Sequence, residues 1–416
     1  MLILLLLLFQ LVLLIRKCQL TKNIKIILFF GVIWNIAWLA VLQIELLNSG
    51  TSTYGSDEGV YYSTVLMALQ MDNWFQYLRE DFNFSYVLYE YFILKTSLTN
   101  SVVWIRLSNV LVLINTILMV YMLGKKYLNT NVKTLNFAVV FLLFNGIITW
   151  TAIRNLKDIL FIFLLLLFVN LLMDIIKERK HILTKGISLL LIGYLIQDIR
   201  QWFIYLLGVL LVTVLLIYLV KKRRFISGTV LLGGVLVYLA NMFSSGLNTL
   251  LIYTQTYLTI QQNDLGGDSI TQGLSTNIWS LPISMFRFIL GPGPIRGLFG
   301  GDAFVTTTNT GNVLIFIGGL MWWAAIPIFL MALVSLKNIK NNTIIFVIMI
   351  FYWMTYSFAY SGSGDTRLRA VFYILAVLFA MTYFQQKFTK FKLFIYFGLL
   401  IPIVLIGLYV SYQSLI

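Results

Sequence analysis

The chain has 416 residues, 60% of them hydrophobic and only 11% charged, with a mean hydropathy of +0.90. That balance excludes an ordinary soluble domain, and the recurring apolar runs of about 18 residues or more are those of a polytopic helical membrane protein. One cysteine, Cys18, and one histidine, His181, exclude a disulfide framework and a Cys- or His-based metal cluster, so chemistry falls to Asp, Glu, Arg, Lys, Tyr or Asn.

The expected fold is all-α, one membrane domain over residues 1–416 with about twelve transmembrane helices. The spans read as 1–15, 26–47, 101–123, 135–153, 159–176, 186–199, 202–220, 226–246, 312–335, 343–360, 369–386 and 393–412. A spanning barrel would show short alternating segments, and there are none. The net charge is +15. Alternate short loops hold 20 of the 30 Lys and Arg residues, from Arg16-Lys17 to Lys390 and Lys392, with only Asp174 and Glu178 among the acids. By the positive-inside rule that face is cytoplasmic, so the charge sets topology and is no nucleic-acid signal. The opposite face holds ten basic residues, eight of them Arg. Lysine suffices for topology, whereas the guanidinium fork suits phosphate and carboxylate. The outer face is therefore read as the working face.

Residues 1–15 lack a basic leader and a small-residue cleavage site, and read as an uncleaved anchor with its N-terminus outside. After span 26–47 comes a first external loop, 48–100, opening on Asn48-Ser49-Gly50-Thr51-Ser52. In it stands Ser56-Asp57-Glu58-Gly59-Val60-Tyr61-Tyr62. From Asp57 to Leu78 apolar residues recur at spacings of three and four, the pattern of a helix lying in the membrane surface. Phe84 to Leu98, rich in Tyr, reads as a second interfacial helix. Ser56 would cap the first, and acids in its first turn favour the helix dipole.

Arg106 lies about one turn inside span 101–123, where it either snorkels or meets a phosphate or carboxylate. Between spans 135–153 and 159–176 the turn Arg154-Asn155-Leu156-Lys157-Asp158 would, if helical, place Arg154, Lys157 and Asp158 on one face. The next outer turn, Gln197-Asp198-Ile199-Arg200-Gln201-Trp202, offers either a mutual Asp198–Arg200 ion pair or a cationic site. The second external loop, 247–311, combines Pro282, Pro292 and Pro294 with Arg287 and Arg296 and reads as a cap over the site; Asp264 and Asp268 lack calcium-loop spacing. Last, Ser361-Gly362-Ser363-Gly364-Asp365-Thr366-Arg367-Leu368-Arg369 sets Arg at the head of a helix, against the dipole, as if to hold an anion.

Outward Arg beside interfacial helices suits a ligand with an anionic head and a lipid tail, such as a polyprenyl-phosphate sugar. Transfer to a hydroxyl needs a base, for which a carboxylate serves, and cations or a divalent metal for the leaving phosphate. Span 26–47 followed by Ser56-Asp57-Glu58-Gly59-Val60-Tyr61-Tyr62, with Ala68 downstream, resembles the first external loop of GT-C type glycosyltransferases, including the protein mannosyltransferase and aminoarabinose transferase groups. The resemblance covers roughly residues 26–225. It implies Asp57 as base and Glu58 as its partner or a ligand of a divalent metal (Mg or Mn), with Arg200 near the donor phosphate. It also implies a polyprenyl-phosphate-linked sugar donor and a glycan or lipid-linked acceptor. The same plan is similar to capsule and O-antigen repeat-unit polymerases, in which two outer Arg-bearing loops bind lipid-diphosphate glycans; Arg287 and Arg296, and Arg367 and Arg369, fit that variant. The expected donor-phosphate residues are thus Arg154, Lys157, Arg200, Arg367 and Arg369. Arg106, Asp158, Asp198, Arg287 and Arg296 are secondary. The rival class is a transporter or flippase of an anionic lipid-linked glycan, which would place its charges near the bilayer midplane. Richness in Ile, Lys and Asn suggests a bacterial plasma membrane, with the active face extracytoplasmic.

Overall fold

The computed structural model describes residues 2–81, 83–178, 181–210, 213, 281–291, 294, 308–359, 366–386 and 389–413. Span 226–246, most of span 202–220, most of loop 247–311 with Asp264, Asp268 and Arg296, and the Ser361–Asp365 segment lie outside them.

All regular structure among the described residues is helical. The helices are α1 (Leu2–Cys18), α2 (Lys22–Asn48), α3 (Gly55–Ala68), α4 (Trp74–Arg79), α5 (Phe84–Thr96), α6 (Val102–Lys126), α7 (Val132–Phe144) and α8 (Gly146–Ala152). They continue as α9 (Asp158–Glu178), α10 (Ile182–Ile199), α11 (Leu281–Leu290), α12 (Asn309–Val334), α13 (Leu336–Asn341), α14 (Thr343–Ala359), α15 (Thr366–Phe384) and α16 (Lys390–Gln413). Seven described helices, α2, α6, α9, α10, α12, α15 and α16, are long and apolar enough to cross a bilayer, and α7 with α8 makes an eighth if the bent pair is one span. At the spans read as 1–15 and 343–360 stand α1 and α14, each only 17 residues long.

Burial sorts these helices into a centre and a rim. The apolar stretch of α6 is 89% buried and that of α16 only 11%, so α6 runs through protein while α16 turns its Phe and Leu outward, as a lipid-facing helix does. The buried amides and hydroxyls of Ser108, Asn109, Asn115 and Thr116 in α6 accordingly make hydrogen bonds inside the bundle. Asn115 donates to the Leu7 carbonyl of α1 at 3.2 Å and Thr116 to Val112 of its own helix at 2.7 Å. α6 packs on α1, α2, α7 and α9, and α15 packs on α8, α12 and α14.

Two expected elements are broken. The span read at 135–153 is α7 and α8, bent by 56°. Asn145 causes the break: its side chain accepts from Ile147 N (3.1 Å) and Ile148 N (3.3 Å), starting a new helix where the old one ends. The bend brings α8 against α12 backbone to backbone. A Cβ on Gly146 would lie 1.9 Å from the Leu314 carbonyl oxygen, and one on Gly318 2.3 Å from Ile147 N. Likewise the interfacial helix read from Asp57 to Leu78 is two, α3 and α4, because the Leu69–Asn73 turn swings Trp74 onto Tyr91 of α5, stacked at 4.4 Å.

The helix ends differ in chemistry. At one, Lys126 pairs with Asp174 and Glu178 (2.6 Å each), Lys185 reaches the same two acids, and Lys125 donates to the Cys18 carbonyl. These lysines thus bond the ends of α1, α6, α9 and α10 together. The other end gathers α3, the α8–α9 link, the end of α10 and the start of α15.

Gly318→Ala is expected to cut the yield of monodisperse protein in detergent several-fold, since only backbone can yield there. Gly398→Ala, with nothing within 4 Å of the added carbon, should leave it unchanged by size-exclusion chromatography.

Candidate functional site

The local start of α3 decides where its two acids go. Gly55, at φ +77°, opens the helix behind Tyr54, so the cap position is Tyr54 and not Ser56. Asp57 and Glu58 then stand in the first turn about 100° apart, and they have different surroundings.

Glu58 is fully buried. One carboxylate oxygen accepts from Arg154 Nε at 2.6 Å; the other accepts from Arg106 Nη2 at 3.1 Å and from the Tyr54 backbone N–H at 3.3 Å. Arg106 also donates to Gln43 Oε1 (2.8 Å) and the Ser52 carbonyl (3.1 Å). The Arg154 guanidinium lies 4.8 Å from the Tyr54 ring centre and 5.1 Å from that of Trp150, two cation–π contacts with rings that themselves meet edge-on at 5.5 Å. This clamp unites α2, the loop after it, α3, α6 and the α8–α9 link. Of the alternatives for Arg106, the structure shows the carboxylate partner.

Glu58 does not fit the role of metal ligand. Both its oxygens are taken by guanidiniums, whose fixed positive charges would repel a divalent ion. Among the described residues no three His, Cys, Asp or Glu side chains converge.

Asp57 faces the other way, with its side chain 44% exposed, and pairs with Arg367 at the head of α15. Around that pair stand the other charges. Asp158, first residue of α9, pairs with Arg200 at the end of α10. Lys157, half-buried, donates to Asn83 Oδ1 and lies 6.0 Å from the Tyr61 ring centre. Arg200 lies 5.6 Å from the Tyr356 ring, whose hydroxyl accepts from Trp202 Nε1 at 3.0 Å. Four separated chain segments thus bring Asp57, Lys157, Asp158, Arg200 and Arg367 to one end of the bundle.

Their electrostatics are coupled. Partial burial raises the Asp57 carboxyl, but Arg367, aided by Lys157, more than reverses this and holds it below the usual carboxylate range. Asp57 is therefore ionised at neutral pH. Lys157 is pulled down to about 7 by burial and by the guanidiniums of Arg200 and Arg367, which Asp158 and Asp57 only partly offset. Burial also pushes the Tyr61 phenol up, so it stays neutral.

Other expectations change. Arg154, Lys157 and Asp158 do not share a helical face: residues 153–157 form a non-helical link, which sends Arg154 to Glu58 and Lys157 to Asn83. Asp198 and Arg200 are not paired with each other; Asp198 accepts from the Ser85 N–H while Arg200 turns to Asp158. Arg369, two residues from Arg367 and so on another side of the helix, donates to the Phe288 carbonyl at 3.1 Å and lies over its ring. It joins Trp322 and Trp323, which donate to the Ile289 and Leu290 carbonyls, in capping the open end of α11, where Arg287 is half-buried. Asn83 and Tyr356 escaped the sequence reading, and Trp202 figures there only as part of the outer turn. Asn83 is one polar loop residue among many, and Tyr356 sits inside an apolar run. An apolar groove between α7, α12 and α15, lined by Phe137, Phe141, Trp322 and Met381 among others, contains none of the charged cluster.

Glu58→Ala would strand two buried guanidiniums and is expected to cost about 3–5 kcal/mol, seen as loss of folded protein on denaturant titration in detergent, whereas Asp57→Asn should fold normally. Lys157 should lose its proton as pH rises through about 7, and Lys157→Arg should abolish that step, as followed by amine-selective labelling against pH. No protein-family model, curated protein or solved structure matches this chain, so its function is read from the geometry of the site.

Proposed function

We propose that the chain is a membrane-embedded glycosyltransferase of the GT-C type. It moves a sugar or oligosaccharide from a polyprenyl-phosphate or polyprenyl-diphosphate donor to a hydroxyl of a glycan or lipid-linked acceptor. It works on the extracytoplasmic face of a bacterial plasma membrane, within a body of about twelve spans, in the synthesis of cell-surface polysaccharide or glycoconjugate. The observation that carries this reading is the convergence of one exposed carboxylate, Asp57, with Lys157, Arg200 and Arg367.

The chemistry follows from those groups. The acceptor hydroxyl oxygen attacks the anomeric carbon as the bond from that carbon to the phosphate oxygen breaks. The hydroxyl proton passes to Asp57, and the bonding pair leaves with the phosphate, whose growing charge Arg367, Arg200 and Lys157 stabilise. Glu58 holds Arg154 and Arg106 in place and takes no proton. Position separates this reading from a transporter. Asp57 lies in the first turn of α3, Asp158 and Arg367 at the heads of α9 and α15, and Arg200 at the end of α10. Charges at helix ends suit chemistry at the membrane surface, whereas a transporter holds its ligand near the midplane.

Asp57→Asn, inserted and folded as wild type, should lower glycan synthesis in cells by about 100-fold or more; unchanged synthesis would sink the proposal. Because Arg367 lowers the Asp57 carboxyl, Arg367→Gln should move the acid limb of the pH–rate profile to higher pH, as measured with lipid-linked donor in detergent.

A further inference from the structure

Glu90 takes no part in the site described above, and its position is unusual. It lies on α5 one turn beyond Tyr86 and is fully buried. Among the described residues neither of its carboxyl oxygens has a hydrogen-bond partner, and the buried Asn155 Nδ2 also lacks one. The Tyr86 hydroxyl and the Asn155 amide lie beside it. Tyr86 already donates to Asn155 Oδ1 at 2.8 Å, and Asn109 Nδ2 of α6 donates to the Arg154 and Leu156 carbonyls on either side of Asn155.

The groups that face Glu90 do not favour a charge. From α3 comes Glu58 and from the turn before α5 comes Asp81, both negative; α5 itself adds the phenols of Tyr86 and Tyr89. α6 offers neutral Ser108 and Asn109, bonded to Tyr89 and Tyr86. Asp198 of α10 is held by the Ser85 N–H, Arg79 of α4 is exposed, and the basic end of α1 lies by Lys125 at the far end of α6. The nearby cations have other partners: Arg106 and Arg154 hold Glu58, Lys157 holds Asn83, and Lys95 donates to Tyr91.

We infer that Glu90 is a neutral carboxylic acid in the folded protein and a positioning residue, closing a hydrogen-bonded ring with Tyr86 and Asn155 that fixes the link carrying Arg154 and Lys157. The donors and acceptors of such a ring match. The acid hydroxyl donates to the Tyr86 oxygen, Tyr86 donates to Asn155 Oδ1, and Asn155 Nδ2 donates to the remaining Glu90 oxygen. An ionised Glu90 has no proton to give and leaves the ring open. Burial pushes the Glu90 carboxyl well above its usual range, Glu58 and Asp81 add to the shift, and Tyr86 and Asn155 oppose it in part. The positioning role rests on the anion site proposed above; the protonation state does not.

The test compares the full chain and Glu90→Gln in detergent, with the apparent unfolding temperature followed from pH 4.5 to pH 9. A carboxyl raised on folding holds an extra proton above its ordinary value of 4.5, so wild-type stability drains away as pH rises from there toward the folded value. Glutamine keeps a donor and an acceptor in the ring and has nothing to titrate. The variant should therefore match wild type near pH 4.5 and exceed it by a gap that widens with pH, on the order of a few degrees by pH 8. A variant less stable than wild type at neutral pH, or a gap independent of pH, would mean an ionised, partnered Glu90 and overturn the inference. In binding of farnesyl phosphate, Glu90→Gln should stay within about twofold of wild type while folded Glu90→Ala weakens by about fivefold or more. Loss of binding in Glu90→Gln, or full binding in Glu90→Ala, removes the positioning role. Failure of wild type itself to bind the probe counts against the proposed anion site, and the temperature profile still decides the protonation state.

Discussion

A single buried carboxylate organises one end of this protein. Glu58 lies between the guanidiniums of Arg106 and Arg154, and through them five segments distant in sequence are held together. Desolvating three charges is costly, and the cost is offset only because both oxygens of Glu58 and most of the Arg106 donors are met. Tyr54 and Trp150, in edge-on contact with each other, add cation–π contacts to Arg154. Once Glu58 is fixed, the helical turn dictates that its neighbour Asp57 projects elsewhere, toward Arg367 and partial exposure. The acidic pair is therefore a division of labour between a structural anion and an available one.

The charges at that end form an ordered set. Asp57 meets Arg367 and Asp158 meets Arg200, while Lys157 is left with a neutral amide as its hydrogen-bond acceptor among positive neighbours. A cation so placed loses its proton easily, near neutral pH. The opposite end works differently. There lysines dominate, and two acids, Asp174 and Glu178, are shared among Lys126 and Lys185. This partly buried network fastens the ends of α6, α9 and α10 to one another.

Between the two ends the bundle depends on close approach and internal hydrogen bonding. α6 is buried along its length, and its amide and hydroxyl side chains bond to neighbouring backbone because hydrocarbon offers no alternative. The break at Asn145 lets α8 lie against α12 with glycine at both contacts, and Asn145 Nδ2 donates across that contact to the Gly318 carbonyl. That packing sets the height of the α8–α9 link, and so of Arg154 and Lys157.

The sequence by itself determined the class of structure, because hydropathy responds to the bilayer directly: an all-helical chain with several helices long and apolar enough to cross a membrane is legible in it. It also singled out Asp57, Glu58, Lys157, Asp158, Arg200 and Arg367, since a charged residue beside an apolar span is conspicuous. Partnership was decided by tertiary structure alone. Local spacing pairs Asp198 with Arg200 and aligns Arg154 with Lys157, whereas the fold sends Arg200 to Asp158, Asp198 to Ser85 and Arg154 to Glu58, 96 residues away. Arg367 and Arg369 look equivalent in sequence, but one meets Asp57 and the other closes the end of α11. The physical reason is reach. Periodicity reports which side of its own helix a residue occupies, and only the packing of helices brings a particular counter-charge to that side.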